Sequence, residues 1–299
     1  MFPLNDNFDA TSLDSLEPVF NELLSRDVKS VSDLEVFFSD ISDMAEHVSE
    51  AGARLYIGMT CDTENELKQT NFLNFVENIR PRMSEVSNKL DLKILNLDFL
   101  EQLSDRYSLI LRSMRNSIEI FREENIPLSV ECTKLSTEYQ KIIGAMTVNF
   151  EGMEYTLPQM RRFLESNDRE TRRLAWASVR ERRMKDSSRI SEILDELIDK
   201  RNKIAQNADF NNYVEYAFRS MERFDYSPSD CREFHKSVEI HCMPLIHQIN
   251  QDRLSGFGFD KLMPWDVNEK SGDSPDVQGR PALAPFQDVS KLVSLTSEV

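Results

Sequence analysis

The sequence predicts a mainly α-helical protein with one small β-hairpin, and three observations carry that reading. Only 8 of the 299 residues are glycine, too few for the many tight turns of a sandwich or barrel. Apolar residues recur at three- and four-residue steps over long stretches, the period of a helix with one buried face. A single short stretch, Met146–Leu157, switches to strand-forming residues around Glu151-Gly152.

The first stripe is Val31, Leu34, Phe38, Ile41, Met44, Ala45 and Val48, a helix expected to end near Gly58. A second starts at a cap on Asp62 or Thr63 and runs through Phe72, Phe75, Val76, Ile79, Met83, Val86 and Leu90. Pro81 interrupts that stripe, which predicts a kink there or a break at Arg80. Tyr107, Ile110, Leu111, Met114, Ile118 and Phe121 form a third helix, closed by Asn125-Ile126-Pro127. The hairpin pairs Met146–Phe150 with Met153–Leu157, and helices resume on both sides. From Asp168 onward the pattern is again helical, with Ile190, Ile193, Leu194, Leu197, Ile198 and Ile204 on one face.

Ser227-Pro228-Ser229-Asp230 supplies a capping serine, a proline at the first helical position and an acid in the first turn. The helix that follows is expected to bury Phe234, Val238, His241, Cys242, Leu245 and Ile249. Residues 256–287 hold four glycines and four prolines and read as a long loop or set of turns. A last helix starts at Asp288 or Ser290, and Val299 follows with no capping signal, so that helix reads as interrupted.

Charge and composition exclude several functions. The net charge is −16, and residues 1–50 carry twelve acids against Arg26 and Lys29. Such a surface repels phosphate backbones and anionic lipids, so neither nucleic acid nor membrane is the expected partner. The amino terminus lacks a cationic segment followed by an apolar one, and no run reaches the ~18 apolar residues of a membrane span. Cys61, Cys132, Cys231 and Cys242 are scattered without paired spacing, which fits reduced thiols and a cytoplasmic location.

Catalytic motifs fail one by one. A helical zinc hydrolase needs His-Glu-x-x-His, but His47, His235, His241 and His247 are never followed by glutamate. The last three are six residues apart, a rotation of about 240° per step, so one helix cannot aim them at one ion. His241 reads as a core histidine with a hydrogen-bond partner. Cys231, His235, Glu239 and Cys242 keep near one face, but a single straight helix cannot wrap a metal, so packing with a surface Glu–His contact is the expectation.

Arg169, Arg172, Arg173, Arg180 and Arg183 would share a helical face within a wider basic cluster. The reading is a solvated or ion-paired face that offsets the acidic amino-terminal helices. Glu123-Glu124 are helix-surface acids. No phosphate-cradling loop and no G-x-S-x-G occurs. No residue is therefore assigned to catalysis, cofactor binding or metal binding.

Several segments, in order, resemble the zinc-dependent oligoendopeptidase F and thimet oligopeptidase family. They are Arg54–Thr63, Leu135–Met146, and Phe150-Glu151-Gly152-x-Glu154-Tyr155-Thr156-Leu157 with Asn167-Asp168-Arg169-Glu170-x-Arg172. Arg201-Asn202-Lys203-Ile204-Ala205 with Phe210-x-x-Tyr213 follows, then Pro264-Trp265-Asp266 with Gly279-Arg280-Pro281-Ala282-Leu283-x-Pro285-Phe286.

The resemblance implies a helical lobe of an enzyme that cleaves short peptides in a channel. In that family zinc is held by a His-Glu-x-x-His helix and a downstream glutamate, carboxy-terminal to the matched segments. It divides this chain into an amino-terminal helical domain over 1–125, a hairpin-bearing domain over 126–187, and the start of a catalytic domain over 188–299. The expectation is the amino-terminal portion of such a peptidase, inactive alone, with zinc and the oligopeptide substrate belonging to the complete enzyme and its carboxy-terminal catalytic region. The alternative is a non-enzymatic helical interaction module that keeps the scaffold.

Overall fold

The computed structural model describes residues 8–267 and 288–297. They form two compact units, one of residues 8–145 with 188–231, the other of residues 146–187 with the described residues after 231.

The first unit begins with α1 (Leu13–Ser25), α2 (Val31–Thr60), α3 (Glu66–Asn74) and α4 (Arg80–Leu95). Leu16, Phe20 and Leu23 of α1, Leu34, Phe37 and Met44 of α2, and Val86 and Ile94 of α4 are wholly or almost wholly removed from solvent, and they form the main core. The open carbonyls at the end of α1 are satisfied by one cation. The Lys93 ammonium donates to Leu23 O and Leu24 O, both at 3.0 Å, and to Arg26 O. Arg82 of α4 grips Glu17 of α1 through Nε at 2.5 Å and Nη2 at 2.9 Å.

The break expected at Arg80 is present. A π-helical turn, Phe75–Ile79, precedes α4, and Pro81 sits in the first turn of α4, where its missing N–H costs no hydrogen bond. The cap of α3 is Asn65 rather than Asp62 or Thr63, its side chain accepting from Lys68 N at 3.2 Å. Asp62 is used differently, accepting from Lys68 Nζ and Asn65 Nδ2.

Next come α5 (Ser108–Ile120) and α6 (Asn125–Gly144). Asn125-Ile126-Pro127 opens α6 rather than closing α5, because a proline in a first turn starts a helix as readily as one after a last turn ends it. The unit is completed by α9 (Ser187–Asn207) and α10 (Tyr213–Ser220). Leu135 of α6 packs on Ile193 and Leu197 of α9, and Arg189 forms a two-point pair with Glu138 at 2.7 and 2.8 Å. Buried Asn125 donates to Ile204 O at 3.0 Å and accepts from Asn207 Nδ2 at 2.8 Å. Buried Asn116 of α5 donates to Arg219 O at 2.9 Å, which ties α5 to α10.

In the second unit, β1 (Thr147–Phe150) and β2 (Met153–Thr156) are antiparallel, with Phe150 opposite Met153. Glu151 and Gly152 take φ of 50° and 80°, the paired left-handed conformation that a two-residue hairpin turn requires. Thr156 then starts α7 (Leu157–Leu164) with a reciprocal cap shared with Gln159. Asp168 caps α8 (Arg169–Lys185), accepting from Thr171 N at 2.9 Å. Val148, Phe150 and Tyr155 of the hairpin close over Met160 of α7 and Ala175 of α8, with Phe163 against both rings.

The helix expected after Ser227 is two helices, α11 (Pro228–His241) and α12 (Met243–Phe257), separated at Cys242, with Pro244 in the first turn of α12. Ser227 does cap α11: Asp230 N donates to its Oγ at 3.3 Å, and its own N donates to Asp230 at 2.7 Å. Neither helix has a buried residue. The expected buried face is exposed instead, Phe234 at 67% and Leu245 at 59%, with His241, Cys242 and Ile249 open as well. An apolar stripe shows that a helix has a face to bury, and says nothing of whether the element that covers it is present.

Phe257 still belongs to α12, and Gly258 ends that helix with φ 64°. The rest of the loop expected over 256–287 lies outside the described residues from 268 on, and so does the segment Gly279–Phe286. Among the described residues the last element is α13 (Val289–Thr296), capped by Asp288 as expected. No described helix is long and apolar enough to cross a membrane.

Candidate functional site

None of the histidines considered as ligands enters a cluster. His47, on α2, donates from Nδ1 to Asp43 O at 2.7 Å and meets the Phe8 ring edge-on. His235, His241 and His247 are exposed on α11 and α12. The expected core histidine at 241 is therefore exposed, because no described residue covers the face that carries it. Cys231, His235, Glu239 and Cys242 do not converge either. Among the described residues there is no group of three or more His, Cys, Asp or Glu that could hold a metal ion.

The arginine cluster divides by role, and the ion pairs of Arg169, Arg172, Arg173, Arg182 and Arg189 involve no acid of residues 1–50. Arg173 pairs with Glu170, Arg182 with Asp186, and Arg180 lies over the Trp176 ring. The two positions of most consequence are Arg169 and Arg172, which converge on Asp266 from 97 and 94 residues away. Asp266 is 3% exposed and Arg172 6%.

Arg169 donates to both Asp266 oxygens, at 3.0 and 2.7 Å, and Arg172 Nη2 adds a third bond at 3.1 Å. The backbone N of Met263 donates a fourth at 2.9 Å. Burial pushes the Asp266 carboxyl upward, but the bonds from Arg169, Met263 N and Arg172 outweigh it and hold the group below the usual carboxylate range. Arg172 is saturated by three carbonyls besides, those of Trp265, Ser166 and Asn167. Trp265 lies 5.5 Å from Trp176, and Arg169 caps the Phe259 ring at 3.8 Å. This is a fastening: it locks residues 259–266 onto α8 and leaves no side of the carboxylate open to a ligand.

One of several clefts of the first unit, of about 450 Å³, lies between α4 and α6, floored by the end of α5 and bordered by Tyr216 of α10. On α4 the lining residues are Arg80, Pro81, Ser84, Ser87, Asn88 and Asp91, at steps of one, three, three, one and three. That spacing puts them on one helical stripe beside the apolar one. From α6 come Asn125, Ile126, Ser129, Val130 and Thr133, again at helical spacing.

The charged groups of the cleft differ in how far they are committed. Arg122 is occupied by Asp209 at 2.7 Å and by the carbonyls of Phe121 and Glu119. Arg80 lies over the rings of Phe72 and Phe75, and no carboxylate among the described residues pairs with it. Asp91 likewise has no cation and no hydrogen-bond donor among the described residues, and burial pushes its carboxyl up to about 6. Burial raises the Tyr216 hydroxyl too, reinforced by Tyr213. Sequence reading passed over this stripe because its residues are ordinary surface types. Their spacing, with a proline-initiated helix beneath it, was the available signal.

The description of the peptidase M3 N-terminal domain matches residues 6–121, and that of peptidase family M3 matches residues 162–297. The chain is thus a member of peptidase family M3.

Its fold is shared with solved structures at low identity. One is a Bacillus anthracis protein described as an oligoendopeptidase F (TM-score 0.87, 21% identity, 98% of this chain and 53% of that one). A second is PZ peptidase A with an inhibitor (TM-score 0.87, 22% identity, 100% and 52%). Oligoendopeptidase-F from Enterococcus faecium aligns at TM-score 0.67 and 17% identity, over 97% and 61%. The chain spans about half the length of the first two. No curated protein matches it.

Proposed function

We propose that this chain supplies the amino-terminal scaffold of a zinc-dependent oligoendopeptidase that hydrolyses short peptides, and that its own residues do not hold the zinc. The observation that carries the reading is the coverage. Nearly all of this chain aligns with about half of each of two solved peptidase structures, at a TM-score of 0.87. The donor set points the same way. The sequence has no His-Glu, and the three histidines of α11 and α12 stand exposed and apart. These residues do not fit a zinc centre, so no hydrolytic step is assigned to them.

Their part is structural: a helical domain over 1–125, a hairpin-bearing domain over 126–187, and the first helices of a catalytic domain over 188–299. The Asp266 fastening and the capped hairpin serve that part by fixing the second unit's own geometry. The cytoplasm is the expected setting, given four unpaired thiols.

The test is direct. The purified chain, with zinc added, should turn over an internally quenched peptide no faster than buffer does. Metal-dependent turnover abolished by a chelator would overturn the proposal. The uncovered apolar face of α11 and α12 also suits the alternative, an interaction module without catalysis. The gene downstream separates the two, since a His-Glu-x-x-His coded there supports the peptidase and its absence the module.

A further inference from the structure

Asp91 is the one carboxylate among the described residues that line the cleft between α4 and α6, and it has neither an ion pair nor a hydrogen bond there. Ser87 and Asn88 precede it by four and three residues, so all three side chains leave one turn of α4 on the same face. The side chains of Ser87 and Asn88 make no hydrogen bond to other described residues either. One turn thus presents a carboxylate, a hydroxyl oxygen and an amide oxygen, all uncommitted. Ile120 and Phe121 of α5 and its end, and Ile126 of α6, add apolar wall to the same cleft.

The other titratable groups of the cleft do not serve Asp91. From the end of α5, Arg122 is occupied by Asp209 at 2.7 Å. On α4 itself, Arg80 stands eleven residues before Asp91, about three turns, and lies over the Phe72 and Phe75 rings. From α10 comes the Tyr216 hydroxyl, which burial keeps neutral, and α6 contributes no charged group. None of them acts on the Asp91 carboxyl, which burial alone pushes up to about 6. A carboxylate drawn out of water without compensation gains from any cation that reaches it.

We propose that this turn of α4 binds the ammonium head of a small primary amine, whose apolar body lies against Ile120, Phe121 and Ile126. A primary ammonium has three N–H donors, and the turn offers three acceptors. A bare metal ion is a poor match, because it needs several oxygen ligands and the cleft holds a single carboxylate among the described residues. The volume of about 450 Å³ is that of a small-molecule site, roomier than one ion requires. The site lies within the first unit and needs no bond cleavage. It therefore stands apart from the peptidase reading, and binding to it cannot be mistaken for turnover.

Calorimetry on the whole purified chain tests it, with phenethylamine as probe at pH 7.5. The expected result is saturable binding of one amine per chain. The neutral 2-phenylethanol, of the same shape, should bind about tenfold more weakly or worse. The N-trimethylated amine keeps the charge but loses the N–H donors, and should also bind more weakly. Lowering the pH to 5 should cost the amine about tenfold in affinity, since a carboxyl titrating near 6 is then mostly protonated. Asp91→Asn should abolish the preference for amine over alcohol with its circular dichroism unchanged. A preference that survives this substitution would trace to the general attraction of a chain of net charge −16 for cations, and would overturn the proposal. So would the absence of saturable binding to the parent chain, or equal affinity of that chain for amine and alcohol. Those two results are read without any variant.

Discussion

Replacing Asp266 by asparagine should unfasten the second unit at a cost that can be worked out from its contacts. The substitution keeps the size of the side chain but removes its charge and turns one acceptor into a donor facing guanidinium and backbone N–H groups. Arg172, 6% exposed, would then be a buried cation without its anion. Breaking a buried pair from one side costs about 3–5 kcal/mol. Arg172 keeps its three carbonyl partners, and the Arg169 side chain, 39% exposed, regains water, so the expected loss is smaller, about 2–4 kcal/mol.

The chain reports this unit by itself, since its two tryptophans, Trp176 and Trp265, are neighbours there at 5.5 Å. With a urea slope of about 1–3 kcal/mol/M, the fluorescence midpoint should fall by roughly 1–2 M. Arg169→Gln, at the more exposed member, should cost under about 1 kcal/mol. The sign with pH follows from the lowered carboxyl. Its stabilisation is complete above the unfolded value of about 3.9 and is lost as pH falls through the still lower folded value, so parent and variant should converge in strong acid. A midpoint that does not move, or an Arg169 variant as damaging as the Asp266 one, would refute the reasoning.

Asp91 runs the other way. Its carboxyl titrates near 6 in the fold against about 3.9 unfolded, so at neutral pH the charged form is a burden of at most ~3 kcal/mol before solvent reaches it. Asp91→Asn should therefore stabilise the first unit by about 1–3 kcal/mol at pH 7.5, and this gain should disappear below pH 4; circular dichroism melts that show a gain at both pH values would contradict the assignment. Gly52 offers a matched pair with Gly58 on the same helix. A Cβ at 52 would meet the buried Phe75 ring at 2.7 Å, whereas one at 58 meets nothing within 4 Å. Gly52→Ala should cost about 1–3 kcal/mol net of its helix gain, while Gly58→Ala should gain up to ~1 kcal/mol in the same urea titrations. At the hairpin, Glu151→Asn places a residue tolerant of φ 50° where glutamate is strained, and should raise the fluorescence midpoint by the equivalent of ~0.5–1 kcal/mol.

What the sequence disclosed was local. The Glu151-Gly152 turn, the Ser227 cap with Pro228 and the stripe from Ile190 to Ile204 each carry their signal within a dozen or so residues, and each stands where expected. Asn125-Ile126-Pro127 failed because the same three residues suit a helix end or a helix start, and only the neighbours decide. The α11–α12 face failed because periodicity reports a face to bury and not what covers it, and among the described residues nothing does. The Asp266 fastening was invisible for another reason. Its segments were both noted as family features, but nothing in a single sequence says that Arg169 and Arg172 meet a carboxylate 97 and 94 positions on. The α4 stripe was legible in spacing and overlooked in type.

The division of the chain has a consequence for how it is made. The backbone passes from one unit to the other three times, at 145/146, 187/188 and 231/232, so neither unit is a continuous stretch. Leu135 cannot find Ile193 and Leu197, nor Asn125 the Ile204 carbonyl, until α9 has left the ribosome. At synthesis rates of about 5–20 residues per second, the apolar side of α6 waits several seconds for its cover, long compared with the folding of a helix. Over that interval the nascent chain holds a finished hairpin beside an unfinished bundle. A ribosome paused between residues 187 and 207 would leave the apolar side of α6 open for as long as the pause lasts.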